Sequence, residues 1–261
     1  MNGNPIGIFD SGVGGLSVAR SIREKLPHED IIYIADSAYA PYGNKSKEFI
    51  LNRSSYIIEY LISLKAKAVV VACNTVTVNA VENLRTQYSI PIIGVEPGVK
   101  PAVAISKRRI VAVLATEQTI KSVSFKNLIK RFSGEARIEV QACPGLVALV
   151  ENQKLEGQEI KCMLSKYVMP LLEKGADTIV MGCTHFAFLT EVLKDIVGNE
   201  FEIINTYQAV AMETSRRLSV NDLLTPSKQV GSAKFLCNDA HENTSALFEK
   251  LWGEPVTIRA F

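Results

Sequence analysis

The sequence predicts an α/β protein built from two similar parallel-sheet α/β domains that arose by internal duplication, with a site between them. Three observations lead there. Short β-branched apolar runs alternate with amphipathic helical stretches, the pattern of strands covered on both faces and joined by right-handed crossovers. The pattern restarts after Glu96-Pro97-Gly98: strands beginning near residues 6, 31, 69 and 91 return near 109, 137, 178 and 201, so steps of 25, 38 and 22 residues recur as 28, 41 and 23. Finally, Val69-Val70-Val71-Ala72-Cys73-Asn74-Thr75 is answered 110 positions later by Ile179-Val180-Met181-Gly182-Cys183-Thr184-His185. Ligands of open α/β sheets bind beyond the carboxyl ends of the strands, so two equivalent thiols there point to one site made from two halves.

Taken in order, residues 5–10 read as the first strand, 11–15 as a glycine turn, and 16–26 as a helix that Pro27 closes. Residues 31–36 form the second strand, and the loop 37–46 carries Pro41-Tyr42-Gly43-Asn44, turn chemistry with an aromatic inside it. A helix over 47–64 spaces Phe49, Ile50, Ile57, Ile58, Leu61 and Ile62 to cover a sheet. The run 68–75 follows, then a helix over about 77–87 and a strand at 91–95. Second-half strands are expected at 109–114, 137–141, 178–181 and 201–204. The remainder reads as a helix (207–218), a strand (233–237), a helix (243–251) and a strand (256–258), expected to extend the first unit. The domains would then be 1–97 with 208–261, and 98–207.

Composition narrows the function classes. With 261 residues, 47% apolar and 21% charged, the chain can bury a large core. A net charge of +2 gives no long-range attraction to nucleic acid or an anionic membrane, and neither partner is expected. No window approaches the ~20 apolar residues of a membrane span, and the first residues lack the segments of a signal peptide, so a cytoplasmic protein is expected. Cys73, Cys143, Cys162, Cys183 and Cys237 are odd in number and widely spaced, which favours reduced thiols over a disulfide framework. No two stand two to four apart, so no metal site is expected.

A single cysteine at a strand end is ordinarily a small buried hydrophobe. Here the ending is repeated, with Asn74-Thr75 after one thiol and Thr184-His185 after the other. Helices beginning at both points would aim N–H groups and dipole ends at the site, favouring anions and thiolate over thiol. His185 stands at a strand end, where it can act as an acid or hold a thiolate, or else be satisfied by backbone; His28 and His241 fall in loop-like, surface surroundings. Asp10 ends the first strand on the Cys73 edge, and can serve the site or cap the next helix. Ser11 and the glycines after it let backbone approach a ligand closely. The loop Pro41-Tyr42-Gly43 points the same way, and Glu151 either faces the site or is a solvated helix residue. Cys143, Cys162 and Cys237 read as structural.

Assembled, these residues resemble the cofactor-independent aspartate/glutamate racemase superfamily, and its glutamate racemases in particular. The matching motifs are Asp10-Ser11-Gly12-Val13-Gly14-Gly15, Pro41-Tyr42-Gly43, Ala72-Cys73-Asn74-Thr75, Glu96-Pro97 and Gly182-Cys183-Thr184-His185-Phe186, spread in the family's order over about 180 residues. The resemblance implies two α/β domains flanking the active site, a homodimer, no cofactor, and conversion of L-glutamate to D-glutamate for peptidoglycan. The chemistry suits the residues: racemisation takes the α-proton from one face and returns a proton to the other, which two opposed thiols can do. By resemblance, Cys183 as thiolate takes the proton of L-glutamate while Cys73 as thiol protonates the opposite face, with the roles reversed for D-glutamate. Asp10 assists Cys73 and His185 assists Cys183. Ser11, Pro41, Tyr42, Gly43, Asn74, Thr75 and Thr184 would hold the ammonium and carboxylates, and Glu151 matches a family acidic position. Ala187, where the family generally has proline, and Asn205-Thr206, where Asp-Ser is common, depart from the pattern outside the proton-transfer set.

Three other readings compete. Gly12-Val13-Gly14 after the first strand and Asp36 after the second match only part of a dinucleotide-binding fingerprint, since Ser17 stands where its third glycine belongs. A relative acting on aspartate is the second. The third, a non-catalytic binding protein, leaves the paired thiols, Asp10 and His185 without a purpose.

Overall fold

The structure, a computed structural model, describes residues 3–240 and 242–261; His241 lies outside them. The first half runs β1 (Ile6–Asp10), α1 (Leu16–Lys25), β2 (Ile31–Ala35), α2 (Lys47–Ser63), β3 (Ala68–Val71), α3 (Asn74–Gln87) and β4 (Ile92–Gly94). After α4 (Val99–Ile105) come β5 (Ile110–Ala115), α5 (Glu117–Lys121), α6 (Val123–Phe132), β6 (Arg137–Ala142), α7 (Leu146–Glu151) and α8 (Gln158–Glu173). They are followed by β7 (Thr178–Met181), α9 (Thr190–Val197) and β8 (Glu202–Ile204), and the chain ends with α10 (Tyr207–Val220), β9 (Ala233–Cys237), α11 (Glu242–Trp252) and β10 (Ile258–Arg259).

Two all-parallel sheets result, one in the order β10-β9-β2-β1-β3-β4 and the other β6-β5-β7-β8. The order β2-β1-β3-β4 recurs as β6-β5-β7-β8, so the repeat seen in the spacing is a repeat of topology. In each sheet the first strand is flanked by its two successors, which makes β1/β3 and β5/β7 the switch points where a crevice opens beyond the strand ends. Asp10 and Cys73 stand at the first, and Thr116 and Cys183 at the second.

Strands β1, β3 and β7 are buried along their whole length, which is why they read as unbroken apolar runs rather than alternating ones. One face of the first sheet packs Ile34, Val71 and Phe9 against Ile57 and Leu61 of α2. From the other face, Ile8, Val70 and Leu16 belong to an apolar core that continues into the second half through Leu146, Leu149 and Phe186. Burying one such side chain contributes about 1.5–3 kcal/mol, so apolar packing joins the halves and leaves the strand ends to polar groups.

Several boundaries differ from expectation. Helix α3 starts at Asn74 rather than near 77, because Cys73 is the last extended residue and the chain turns at once. After Cys183 there is instead a 3-10 segment, Thr184–Leu189, before α9. The last strand lies at Ile258–Arg259, where it pairs with Phe235 and Leu236. Among the described residues no helix is long and apolar enough to cross a membrane.

Candidate active site

Both thiols leave their strands alike. Cys73 (φ −130°, ψ 117°) and Cys183 (φ −143°, ψ 138°) are extended residues directly after a buried strand, 5% and 8% exposed. Their neighbours differ. The Asp10 carboxylate, fully buried, accepts the Ser11 N–H at 2.8 Å and the Gly15 N–H at 2.7 Å, so it ties both ends of the turn before α1. It also faces the second half, accepting from Thr184 Oγ1 at 3.3 Å and lying 3.8 Å from His185 Nδ1. Asp10 thus braces the turn before α1 rather than capping the first N–H groups of the helix, which bond to Val13 and Gly14 carbonyls. Burial raises its pKa, opposed by His185, Cys73 and the Ser11 N–H.

The Cys73 thiol donates to Ser11 Oγ at 3.7 Å. Burial pushes this thiol well above its ordinary range and the Asp10 charge adds to the effect, while the Val76 N–H and Ser11 act the other way. The sequence led us to expect a helix start that favours thiolate. The helix does begin there, but at Cys73 desolvation and Asp10 outweigh its N–H groups, so the surroundings favour thiol over thiolate.

On the other side, His185 is buried, with Nδ1 3.9 Å from Cys183 Sγ and Nε2 2.5 Å from Glu151 Oε1. Burial disfavours the imidazolium, yet Cys183, Glu151 and Asp10 together overcome it and raise the pKa well above the ordinary 6.5. Glu151, the last residue of α7, is held by the first half: Oε1 accepts the Val13 N–H at 2.8 Å and Oε2 the Ser37 hydroxyl at 3.4 Å. It therefore faces inward.

A family model described as Asp/Glu/Hydantoin racemase matches residues 7–214. The chain belongs to this racemase family. A glutamate racemase of Methylococcus capsulatus is 46% identical over 254 residues, spanning 97% of this chain and 94% of the relative. The crystal structure of a glutamate racemase isoform from Bacillus anthracis is similar with a TM-score of 0.90 at 30% identity, covering 99% of this chain and 97% of that one. The Francisella tularensis glutamate racemase, solved in complex with D-glutamate, gives 0.88 at 26% identity, covering 100% and 98%.

For a racemase-family site, the remaining expected residues fall into two groups. Asn74 donates through Nδ2 to the Val95 carbonyl at 3.1 Å, while its buried Oδ1 has no hydrogen-bond partner among the described residues. Thr75 Oγ1 lies 3.0 Å from Thr116 Oγ1 and 3.4 Å from Thr119 Oγ1, a hydroxyl cluster across the seam. Pro41 and Gly43 line a cavity of about 170 Å³ together with Thr116 and Cys143. The Tyr42 hydroxyl does not join them. Its ring is buried and its OH donates to Asp36, which Arg53 grips at 2.5–3.0 Å and Asn238 at 2.7 Å. Tyr42 thus fixes the loop through its ring and hydroxyl, and Asp36, fully buried and so engaged, is not available to a ribose.

The glycine turn is also where the two halves approach each other closely. A Cβ on Gly12 would lie 1.9 Å from Glu151 Oε1, and one on Gly14 2.2 Å from His185 Nδ1. What comes close to this backbone is the racemase's own second half. Thr116, Thr119 and Ser37 were missed by sequence reasoning; the duplication offered a signal for Thr116, which follows β5 as Ser11 follows β1. His28 is exposed, and so is Cys162, which is therefore not the core residue expected, while Cys143 and Cys237 are buried.

Proposed function

We propose that the chain interconverts L- and D-glutamate by proton transfer between Cys73 and Cys183 on opposite faces of the substrate, without a cofactor, supplying D-glutamate for peptidoglycan. The observation that carries this reading is the different side chain beside each of the two buried thiols: the Asp10 carboxyl near Cys73, and the His185 imidazole with Nδ1 3.9 Å from Cys183 Sγ. Similarity to glutamate racemases, one of them bound to D-glutamate, supports the choice of substrate.

A two-face mechanism needs one base and one acid at the same moment. Beside an imidazolium, Cys183 acts as the thiolate that removes the α-proton of L-glutamate; Cys73, kept protonated, delivers a proton to the opposite face. For D-glutamate the direction reverses, and Asp10, made more basic by burial, receives the Cys73 proton. Ser11, Asn74, Thr75, Thr184 and the loop backbone at Pro41–Gly43 hold the carboxylates and the ammonium, for which the unpartnered Asn74 Oδ1 is a suitable acceptor. A closed, dry site strengthens these interactions as carbanion character develops. The same reading takes residues 1–97 with 208–261 as one domain and 98–207 as the other, in a cytoplasmic homodimer.

The test is racemisation and α-proton exchange of L- and D-glutamate in deuterated water, with no added cofactor. Wild type should racemise, and Cys73→Ser and Cys183→Ser should each lose about 10²-fold or more. An inactive wild type, or a serine variant that racemises normally, would contradict the proposal.

A further inference from the structure

Tyr33 sits in β2, fully buried, its ring edge-on to Phe248 with centroids 6.0 Å apart and tilted against Phe235 at 6.5 Å. A hydroxyl in such an aromatic core is unfavourable unless it is bonded, and this one donates to the Gly12 carbonyl at 2.6 Å. That carbonyl belongs to the same peptide group as the Val13 N–H, which donates to Glu151 Oε1 at 2.8 Å. A peptide group is planar and stiff, so fixing its oxygen fixes the direction of its N–H. The same Glu151 oxygen lies 2.5 Å from His185 Nε2. An unbroken line of hydrogen bonds therefore runs from the phenol through the Gly12–Val13 peptide and the Glu151 carboxylate to the imidazole.

We propose that Tyr33 is a positioning residue for His185, its hydroxyl setting the Gly12–Val13 peptide that holds Glu151 against Nε2. Space reinforces the line, since a Cβ on Gly12 would collide with Glu151 Oε1 and the peptide has no slack to turn. The phenol remains a donor, because burial and the nearby Asp10 and Glu151 charges push its pKa well above the ordinary 10.0. Facing His185 are Asp10 from β1, Glu151 from α7 and Cys183 from its own segment. The Val13 N–H and the imidazolium share Glu151 Oε1, so what the phenol controls is where that carboxylate sits; once the peptide is free to turn, Oε1 drifts from Nε2 and the imidazolium loses its counter-charge. The effect on rate rests on the racemase reading; the effect on the imidazole does not.

The experiment follows the ¹⁵N side-chain titration of His185 in wild type, Tyr33→Phe, Phe235→Leu and Glu151→Gln, alone and combined with Tyr33→Phe. Three histidines make the spectrum simple, and His185→Gln assigns the signal. Tyr33→Phe should lower the His185 midpoint and reduce kcat/KM about tenfold, whereas Phe235→Leu, which loosens the same core, should lower Tm and leave the midpoint in place. In the Glu151→Gln background, Tyr33→Phe should add no further shift. The proposal is overturned if Tyr33→Phe leaves the midpoint where it is, or if its shift persists without the Glu151 charge. A wild type that titrates as described but fails to racemise glutamate would count against the proposed function alone.

Discussion

Beyond Cys73 the chain passes straight into α3, and the thiol's neighbours are Asp10 and Ser11; beyond Cys183 it enters a 3-10 segment, and the neighbours are His185 and, behind it, Glu151. The strand order, the switch points and the extended conformation of the two cysteines are common to both sides. What has diverged is the titratable side chain next to each thiol. Under the proposed two-face proton transfer, two identical sides would hold two thiols in the same protonation state, which suits neither direction. Duplication thus supplies matched positions, and divergence gives each its own titratable neighbour, a carboxyl beside Cys73 and an imidazole beside Cys183. The two also meet, since His185 Nδ1 lies 3.8 Å from Asp10 Oδ2.

The strongest way to break this contrast is steric. Gly14→Ala would place a methyl 2.2 Å from His185 Nδ1 and 2.6 Å from its backbone nitrogen. Overpacking of this kind costs typically 1–3 kcal/mol, and because it displaces the imidazole we expect about a hundredfold loss of kcat/KM along with a lower Tm. Gly134→Ala, whose Cβ meets nothing within 4 Å, should leave activity unchanged; equal losses in the two variants would show that the contact has no special role.

Next in size is Glu151→Gln, which keeps the shape and removes the charge. Because His185 has a folded pKa above its ordinary 6.5, the stability it contributes is fully present below that value and lost as pH rises through the raised folded one. The variant lowers the folded value, so the stability gap from wild type should be widest in acid and close as pH increases. Turnover should fall about tenfold, with its alkaline limb moved to lower pH. Urea unfolding across pH 5–10 and a pH–rate profile read both effects; a gap that widens with pH contradicts the assigned charge.

A smaller effect sharpens the contrast from the seam. Thr75→Val removes the hydroxyl that meets Thr116 and Thr119, which should cost about 1 kcal/mol and lower Tm by roughly 2–4 °C. The His185 titration should not move. A shift there would mean that the seam and the charge system are coupled more widely than the contacts indicate.

Much of this was legible because it is local or periodic. Unbroken runs at β1, β3 and β7 announced strands buried on both faces, equal spacing announced the repeat, and the repeat made Cys73 and Cys183 a pair. Other features depend on residues far apart in the chain. Thr184 meets Asp10 across 174 positions and Val13 meets Glu151 across 138, so nothing near Glu151 reveals that it turns inward. The side chains that come close to Gly12 and Gly14 belong to the other half, so no local pattern shows them. For Cys73 the helix dipole was readable, whereas the desolvation and the Asp10 charge that overcome it appear only once the strand ends are brought together. Tyr42 was correctly placed in a loop at the strand edge, but the direction of its hydroxyl is set by buried Asp36, which the half-buried Arg53 grips.

The contrast between the two sides is tested most directly by protonation states in the unliganded protein at pH 7, read by NMR from ¹³Cβ-labelled cysteine and ¹⁵N-labelled histidine, with Cys73→Ser and His185→Gln for assignment. Cys73 should be a thiol and His185 an imidazolium in the same sample. A Cys73 thiolate together with a neutral His185 would contradict the account.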